Sequence, residues 1–192
     1  MNDKNIQLEQ SDSEIQEVVK KAQTGDPFAF SQLYENFFLR IYRYTFMKTG
    51  NSEDAEDLTQ EVFLKVIRSI SKYKEKETPF ASWLFRIARN TIIDYVRKRQ
   101  KYTSNLPLEG LNELIANVDV ENSVITSINI EEIKNHMKNL TELQNEVITL
   151  RFFGQLSLEE TSKVISRNVN ATKNIQYSAL TALRKQMNRL YQ

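Results

Sequence analysis

Three polar side chains that could act together lie in the segment SEDAEDLTQEVFLKV. Asp57, Gln60 and Glu61 are spaced i, i+3 and i+4, which places them on one face of a helix. Two such carboxylates could bind a metal ion or exchange a proton. However, the chain has one His, His136, and no Cys, and no third group of ligands accompanies the pair. We therefore predict no metal site and no catalytic residue, and interpret this face as a docking surface for a basic protein partner.

A second candidate site combines aromatic rings with positive charge. The segment 73–80 contains Tyr73 and Phe80 and leads into WLFRIARNTIIDYVRKRQK, which begins at Trp83. Spacings of four, three and four place one set of side chains on a common helical face: Arg86, Asn90, Ile93 and Arg97. Aromatic rings beside cations suit the unstacked bases of a single strand. The alternative is that Phe80 and Trp83 are ordinary core residues.

The C-terminal segment has the pattern of a helix-turn-helix, with a supporting helix over 157–165 and a recognition helix over 168–187. Asn and Gln can read base edges, and Arg and Lys can neutralise phosphates. The side chains predicted to face a DNA groove are Arg167, Asn170, Thr172, Lys173, Asn174 and Gln176. The side chains predicted to be core are Ile175, Ala179, Leu180 and Leu183. A helical hairpin with a polar outer surface is the alternative.

The elements that must position these sites are all predicted to be helices. The four Gly and three Pro fall between segments of helical periodicity, and no alternating strand pattern occurs. Asp26 precedes Pro27 at a predicted helix start, and Ser52 is predicted to cap the next helix. The sequences TELQ from Thr141 and SLEE from Ser157 have the form of capping boxes.

The helices fall into two groups. The periodicity predicts one helical domain over 12–101 and another over 123–192. Between them it weakens over 102–122, which contains Pro107 and Gly110, and we interpret this stretch as a flexible linker. Residues 1–11 form a polar tail. The fold class predicted is therefore all-α, with two helical domains.

Composition and charge limit the possible functions. The net charge is +1, but the charges are segregated, with acids concentrated over 52–61 and bases over 86–101. This distribution indicates two surfaces with different partners. The absence of Cys excludes disulfides and fits a reducing cytoplasm. No apolar run long enough for a membrane span occurs, and the polar N-terminus does not resemble a secretory signal, so we expect no membrane insertion.

Four segments, in order, carry a family resemblance: GDPFAFSQLYENF, DAEDLTQEVFLKV, FASWLFRIARNTIIDYVRKR and LTELQNEVITLRFFGQLSLEETSKVIS. Together they closely resemble RNA polymerase sigma factors of the sigma-70 type, in the extracytoplasmic-function group. The resemblance implies sigma domain 2, a helical bundle, and sigma domain 4, a helix-turn-helix, without the domain that separates them in larger relatives. It also implies a binding protein that directs polymerase to promoters, with no chemistry and no cofactor of its own.

The resemblance implies roles for individual residues in the first domain. Asp57, Gln60 and Glu61 match the face that binds the β′ clamp helices of core RNA polymerase. A second set matches the segments that separate the strands and hold the −10 element: Tyr73, Phe80, Trp83, Arg86, Asn90, Arg97 and Lys98. Capture of bases from a melted strand requires rings and cations side by side.

In the second domain, residues 168–178 match the helix that enters the major groove at the −35 element, while the domain docks on the β flap. The residues assigned to −35 DNA are Arg167, Asn168, Asn170, Thr172, Lys173, Asn174, Gln176 and Tyr177. Most relatives are held inactive by an anti-sigma factor, so such a partner is expected here. Cytoplasmic location is also expected.

Several residues of the second domain depart from the family pattern. Ser166 stands where a turn Gly is common, and Asn170 where Gly often opens the recognition helix. Thr172 replaces an apolar Val, and Ser178 replaces a basic residue. Asn tolerates a left-handed backbone, so the fold is expected to survive. Loss of the base at 178 is expected to weaken phosphate contact.

The sequence fits two other functional classes less well. A stand-alone helix-turn-helix regulator would bind duplex DNA as a dimer, but no heptad run provides a dimer surface, and the acidic face would have no role. A metal-dependent nuclease would need clustered ligands, a phosphate-binding Gly loop or a nucleophile and base, and the sequence has none of these.

Overall fold

The computed structural model describes residues 12–104, 133 and 135–190. In the N-terminal part, helices α1 (Asp12–Gln23), α2 (Pro27–Thr49) and α3 (Ser52–Ser69) are followed by a 3-10 turn (Ile70–Lys72) and by α4 (Phe80–Ser104). The C-terminal part contains α5 (Glu142–Ile148), a π-helical turn (Thr149–Phe153), α6 (Leu158–Val164) and α7 (Val169–Leu190). No strand occurs in these ranges, which confirms the all-α prediction.

Helix α4 extends to Ser104, beyond the domain boundary predicted at residue 101. The tail 1–11 lies outside the described residues, and so does most of the predicted linker 102–122. The first residues of the predicted second domain, 123–132, are outside them as well. The domain boundaries therefore stay predictions.

Local capping residues set most of the helix starts. The carboxylate of Asp26 accepts hydrogen bonds from the backbone N–H groups of Phe28, at 2.9 Å, and Ala29, at 3.4 Å. Thr141 and Ser157 both form the reciprocal capping boxes predicted from the sequence. The start of α3 differs from the prediction, because the cap is Asn51 rather than Ser52. The Asn51 side chain accepts from the Asp54 N–H at 3.1 Å.

The N-terminal helices form a bundle around the apolar face of α2. Leu33, Phe37 and Ile41 are fully buried there and pack with residues of α3 and α4. The buried partners from those helices include Val62, Val66, Leu84, Phe85 and Ala88. This bundle sets the positions of α3 and α4, whose side chains also meet directly where Arg99 lies 3.2 Å from Asp54.

The C-terminal helices pack directly on the N-terminal bundle. Leu150, Leu156 and Val164 belong to the same apolar cluster as the core of α2 and α4. The packing is tight at Gly154, where a Cβ atom, if present, would lie 2.7 Å from Cε1 of Phe85 and 2.8 Å from the Leu150 carbonyl oxygen. The structure confirms two groups of helices, and it adds that they share a continuous core.

Candidate functional site

The acidic face of α3 lies on the surface, as the sequence predicts. Asp57 and Gln60 are exposed, while Leu58 and Val62 on the other side of the helix are buried. Glu61 is paired within the helix, because its carboxylate lies 2.7 Å from Nζ of Lys65. The face therefore presents one carboxylate and one amide beside a carboxylate that is already partly neutralised.

A stripe of aromatic rings borders this acidic face. Tyr34, Phe38, Tyr42 and Phe46 follow one another at intervals of four residues along α2, with ring centroids 5.0, 6.3 and 6.1 Å apart. The ring of Tyr34 also lies 4.7 Å from that of Phe63 in α3. These four rings, the α2 aromatic stripe, are only partly buried.

The stripe was not predicted from the sequence because aromatic rings occupy two faces of α2. Phe37 and Tyr44 are core residues, and the partly exposed rings alternate with them along the chain. Burial raises the pKa of the Tyr42 hydroxyl, and the nearby Glu56 carboxylate raises it further. The signal available in the sequence was an aromatic residue at every fourth position. The stripe adds apolar surface next to the acidic face.

Two of the aromatic residues assigned to the −10 strand belong to the core. Tyr73 and Phe80 are 5% and 2% exposed, and their rings meet edge to face at 5.5 Å. The Tyr73 hydroxyl donates to the Thr78 carbonyl at 2.9 Å. Burial raises its pKa. In this arrangement neither ring is open to a stacked base. The core alternative therefore describes Phe80 correctly, and Tyr73, for which it was not considered, is a core residue as well.

Trp83 has an intermediate position. Its ring lies 5.2 Å from Tyr73 and 5.7 Å from Phe80, and part of its surface remains exposed. Trp83 therefore fits both interpretations of the sequence, because it is part of the aromatic cluster and also a ring that a base could reach.

The cationic face of α4 is partly covered. Asn90, Arg97 and Lys98 are exposed. Arg86 instead donates two hydrogen bonds to the backbone carbonyl of Lys163 in α6, from Nη2 at 2.6 Å and from Nε at 3.0 Å. Only part of the predicted −10 surface is therefore presented to solvent.

Helix α7 presents a polar face with helical spacing. Asn170, Lys173, Asn174 and Tyr177 are all exposed, and i, i+3, i+4 and i+7 positions share one side of a helix. Tyr177 is the most prominent of them, at 75% exposed. Arg167 is exposed just before the helix. This face has the amide, cationic and aromatic groups needed to contact base edges and phosphates.

Three other residues predicted to contact DNA have roles inside the domain. Thr172 is fully buried, and its hydroxyl donates to the Asn168 carbonyl, so its prediction as a groove-facing residue is wrong. The Asn168 side chain accepts from the Ala171 N–H at 2.7 Å and so caps α7. Gln176 accepts from Nε of Arg151 at 2.9 Å and is partly buried. Leu180, predicted to be core, is 40% exposed.

The structure shows the backbone angle or the contact of three residues that depart from the family pattern. Ser166 has φ of 55°, in the left-handed region where Gly is favoured. Asn170 lies within α7 and is not among the described residues with positive φ, so tolerance of a left-handed backbone is not needed there. The Ser178 hydroxyl lies 2.9 Å from Nε2 of Gln144, which donates to it.

The described residues form neither a metal-ligand cluster nor a membrane span. Across 12–104 and 135–190, no three His, Asp or Glu side chains are grouped so that they could bind a metal ion. In the same part of the chain, no helix is both long and apolar enough to cross a membrane.

Comparison with known proteins gives matches to both groups of helices. The family model of Sigma-70 region 2 matches residues 33–102, and that of Sigma-70 region 4 matches residues 136–185. The chain is 33% identical over 169 residues to the ECF RNA polymerase sigma factor BldN of Streptomyces coelicolor. That match covers 88% of this chain and 64% of BldN. The chain is also 28% identical over 181 residues to the ECF RNA polymerase sigma factor SigW of Bacillus subtilis. This second match covers 90% of the chain and 96% of SigW.

Among solved structures, the fold resembles the sigma factor RpoE in its complex with the anti-sigma factor NepR from Bartonella quintana. The TM-score is 0.67 at 20% identity, over 83% of this chain and 96% of that one. This likeness shows a common fold.

The left-handed turn at Ser166 gives a testable prediction. Replacing Ser166 by Gly is expected to raise the free energy of unfolding by about 0.5–1 kcal/mol, because a side chain no longer strains a residue with positive φ. Urea denaturation followed by circular dichroism measures the change. The control is Ser71→Gly, in the 3-10 turn, which is expected to lower stability because Gly there only adds freedom to the unfolded chain. Equal effects of the two substitutions would contradict the assignment of strain to Ser166.

Proposed function

We propose that this chain, which belongs to the sigma-70 family of RNA polymerase sigma factors and to its extracytoplasmic-function group, binds core RNA polymerase and directs it to specific promoters. The observation that carries this function is the pair of family matches, in order, on the two groups of helices. The relatives BldN and SigW bear the same description. The chain acts as a transcription initiation factor in the cytoplasm, by binding alone and without a cofactor.

The acidic face of α3 is the proposed docking site for core polymerase. Asp57 and Gln60 are exposed, and Glu61 completes the same helical face. Carboxylates on a partner-facing surface steer and orient a basic partner, in this case the β′ clamp helices. The adjoining α2 aromatic stripe supplies apolar surface, which the charged groups alone would lack.

The proposed −10 site is centred on the exposed end of the α4 face. Asn90 offers an amide for base edges, while Arg97 and Lys98 offer charge for phosphates. Arg86 and Trp83 lie one and two turns before Asn90 on the same helix, where a flipped base would be received. Tyr73 and Phe80 support Trp83 from beneath, as its packing partners.

The proposed −35 site is the exposed face of α7. Asn170 and Asn174 have the amide groups that pair with adenine in the major groove, and Lys173 lies between them for phosphate contact. Tyr177 extends this face by one turn. The same domain is proposed to dock on the β flap, which would hold α7 over the DNA.

An anti-sigma factor is a further proposed partner. The similar fold of RpoE is found in a complex with the anti-sigma factor NepR. A partner of that kind would regulate this chain by covering the surfaces that bind polymerase and DNA.

The docking site is tested by reversing a charge. Asp57→Lys is expected to weaken binding to bacterial core RNA polymerase at least about tenfold, because a buried or partly buried charge pair is replaced by repulsion. Fluorescence anisotropy of labelled protein titrated with core enzyme measures the affinity, and circular dichroism checks the fold. Glu17→Lys makes the same charge change on the exposed side of α1 and is expected to bind normally. An unchanged affinity for Asp57→Lys sinks the docking assignment.

The −10 site is tested by removing one amide. Asn90→Ala is expected to leave core binding intact but to reduce open-complex formation by roughly 5- to 100-fold, the range for loss of one good base contact. Permanganate reactivity of unpaired thymines measures melting, at promoters found by run-off transcription of genomic fragments. Gln32→Ala removes an exposed amide from α2 and should melt promoters normally. Normal melting by the Asn90 variant would show that the −10 assignment is wrong.

The −35 site is tested through salt dependence. Lys173→Ala is expected to weaken holoenzyme binding to duplex promoter DNA similarly for all sequences. It should also reduce the slope of log affinity against log salt by about one, because one phosphate contact is lost. Lys138→Ala, an exposed lysine before α5, is the control and should leave the slope unchanged. The assignment fails if the two variants have the same slope.

A further inference from the structure

The contact between the two groups of helices has a charged residue at its centre. Glu146 of α5 is only 9% exposed, and the groups around its carboxylate come from the other domain. The Tyr44 hydroxyl donates to Oε1 at 2.7 Å, Nζ of Lys48 lies 2.7 Å from Oε2, and Nε of Arg89 lies 3.6 Å from Oε1. Burial raises the pKa of Tyr44 well above its usual value, and the neighbouring carboxylate adds to the effect. We call Glu146 with these three partners the Glu146 cluster.

Further hydrogen bonds join the domains on one side of the Glu146 cluster. Each runs from a side chain of the N-terminal bundle to a backbone carbonyl of the C-terminal part. Arg40 donates to the carbonyls of Gly154 and Gln155, at 3.0 and 3.1 Å. Ser82 donates to the Glu160 carbonyl at 3.1 Å. Together with Arg86 on the Lys163 carbonyl, they align α6 along α4 and cover part of the proposed −10 surface.

The resulting arrangement is too compact for a promoter. Arg86 contacts the carbonyl of Lys163, and Arg167 follows four residues later. Four residues of chain span at most about 15 Å, so the −10 and −35 surfaces lie within about that distance of each other here. Positions −10 and −35 are roughly 85 Å apart along duplex DNA, at 3.4 Å per base pair. The segment 105–132 could bridge such a separation, since its fully extended length is roughly 90–100 Å. Both elements can therefore be bound only after the domains separate.

We propose that the Glu146 cluster is an autoinhibitory latch, which holds the two domains closed and which binding to core polymerase must open. The proposal rests on the proposed function. A polar centre suits a reversible contact, because buried ion pairs contribute little net stability when water can solvate the separated groups. The same centre makes the closed state specific, because a buried carboxylate without its donors is costly. In the closed state, Arg86 binds a carbonyl and is withheld from DNA.

The latch is tested by measuring the distance between the domains. The chain has no Cys, so nitroxide labels at Glu17→Cys in α1 and Lys185→Cys in α7 report on one pair of sites. Double electron–electron resonance on this full-length protein is expected to give a short, narrow distance distribution. Glu146→Gln and Tyr44→Phe alter the cluster from opposite domains, and each is expected to raise the long-distance fraction on the order of tenfold, the loss of one charged hydrogen bond.

Glu142→Gln makes the same chemical change on the exposed side of α5, so it is the matched control and should stay closed. The proposal is overturned if neither cluster variant increases the long-distance fraction, or if the control opens as much as they do. Circular dichroism identifies a variant that unfolds. If one cluster variant unfolds, the result from the other cluster variant is used to test the latch. If both cluster variants unfold, the cluster is a structural element and the latch is refuted.

Core polymerase provides the second arm of the test. Adding it to the labelled wild-type protein is expected to replace the short distance with a long one. Glu146→Gln should lower the apparent Kd for core enzyme by the same factor as it raises the open fraction, since only open molecules bind. A bound complex that keeps the short distance would refute the latch. If the variants open but do not bind core enzyme, the result would support the latch and contradict the proposed function.

Discussion

The contact between Phe85 and Gly154 determines how the rest of this molecule is arranged. Phe85 is fully buried and meets Tyr44 edge to face at 5.4 Å, so its position in α4 also fixes a ring of α2. Because residue 154 has no side chain, the C-terminal helices can approach until their backbone touches this ring. A larger residue at position 154 would clash with Phe85, Leu150 and Leu156, so these neighbours would have to shift.

This close approach gives several side chains two possible partners. The guanidinium of Arg86 satisfies a carbonyl of α6, although its position in α4 also suits a nucleic-acid strand. Arg40 spans the same boundary and stacks over Phe37, at 4.9 Å from the ring centre. Cationic groups that bind carbonyls in one state and phosphates in another require no new residue for either role. Under the proposed latch, the chain would change from a compact to an extended state by rearranging this one set of contacts.

Local features of the chain could be predicted from the sequence, because their causes are local. A capping side chain acts within three residues, so the helix starts after Asp26, Thr141 and Ser157 were predicted correctly. The cap of α3 was misplaced by one residue, since Asn51 and Ser52 are both suitable capping residues. The exposed acidic face was found because a helix of known phase fixes which side chains share a side.

The features that escaped prediction depend on contacts between distant segments. Tyr44 and Glu146 are separated by 102 positions, and neither lies in a local sequence pattern that predicts their contact. Thr172 resembles a DNA-binding residue by type, yet it replaces an apolar residue of the family, and that was the signal of its burial. The rings of Tyr73 and Phe80 have the right chemistry for bases, but their exposure depends on how α1 and α2 pack around them. Residue type alone does not determine accessibility.

The position of the lone tryptophan has a practical consequence. Trp83 is the chain's single indole, and it lies partly exposed on α4 with Tyr73 and Phe80 packed beneath it. Its emission therefore originates at the place where strand separation is proposed to be read, with a phenol close enough to transfer excitation to it. A stacked base would quench that emission, whereas attachment of α3 to polymerase would leave it largely unaltered. With the −10 site proposed here, the native chain thus contains a fluorophore whose stopped-flow signal would show when bases leave the duplex relative to assembly with polymerase.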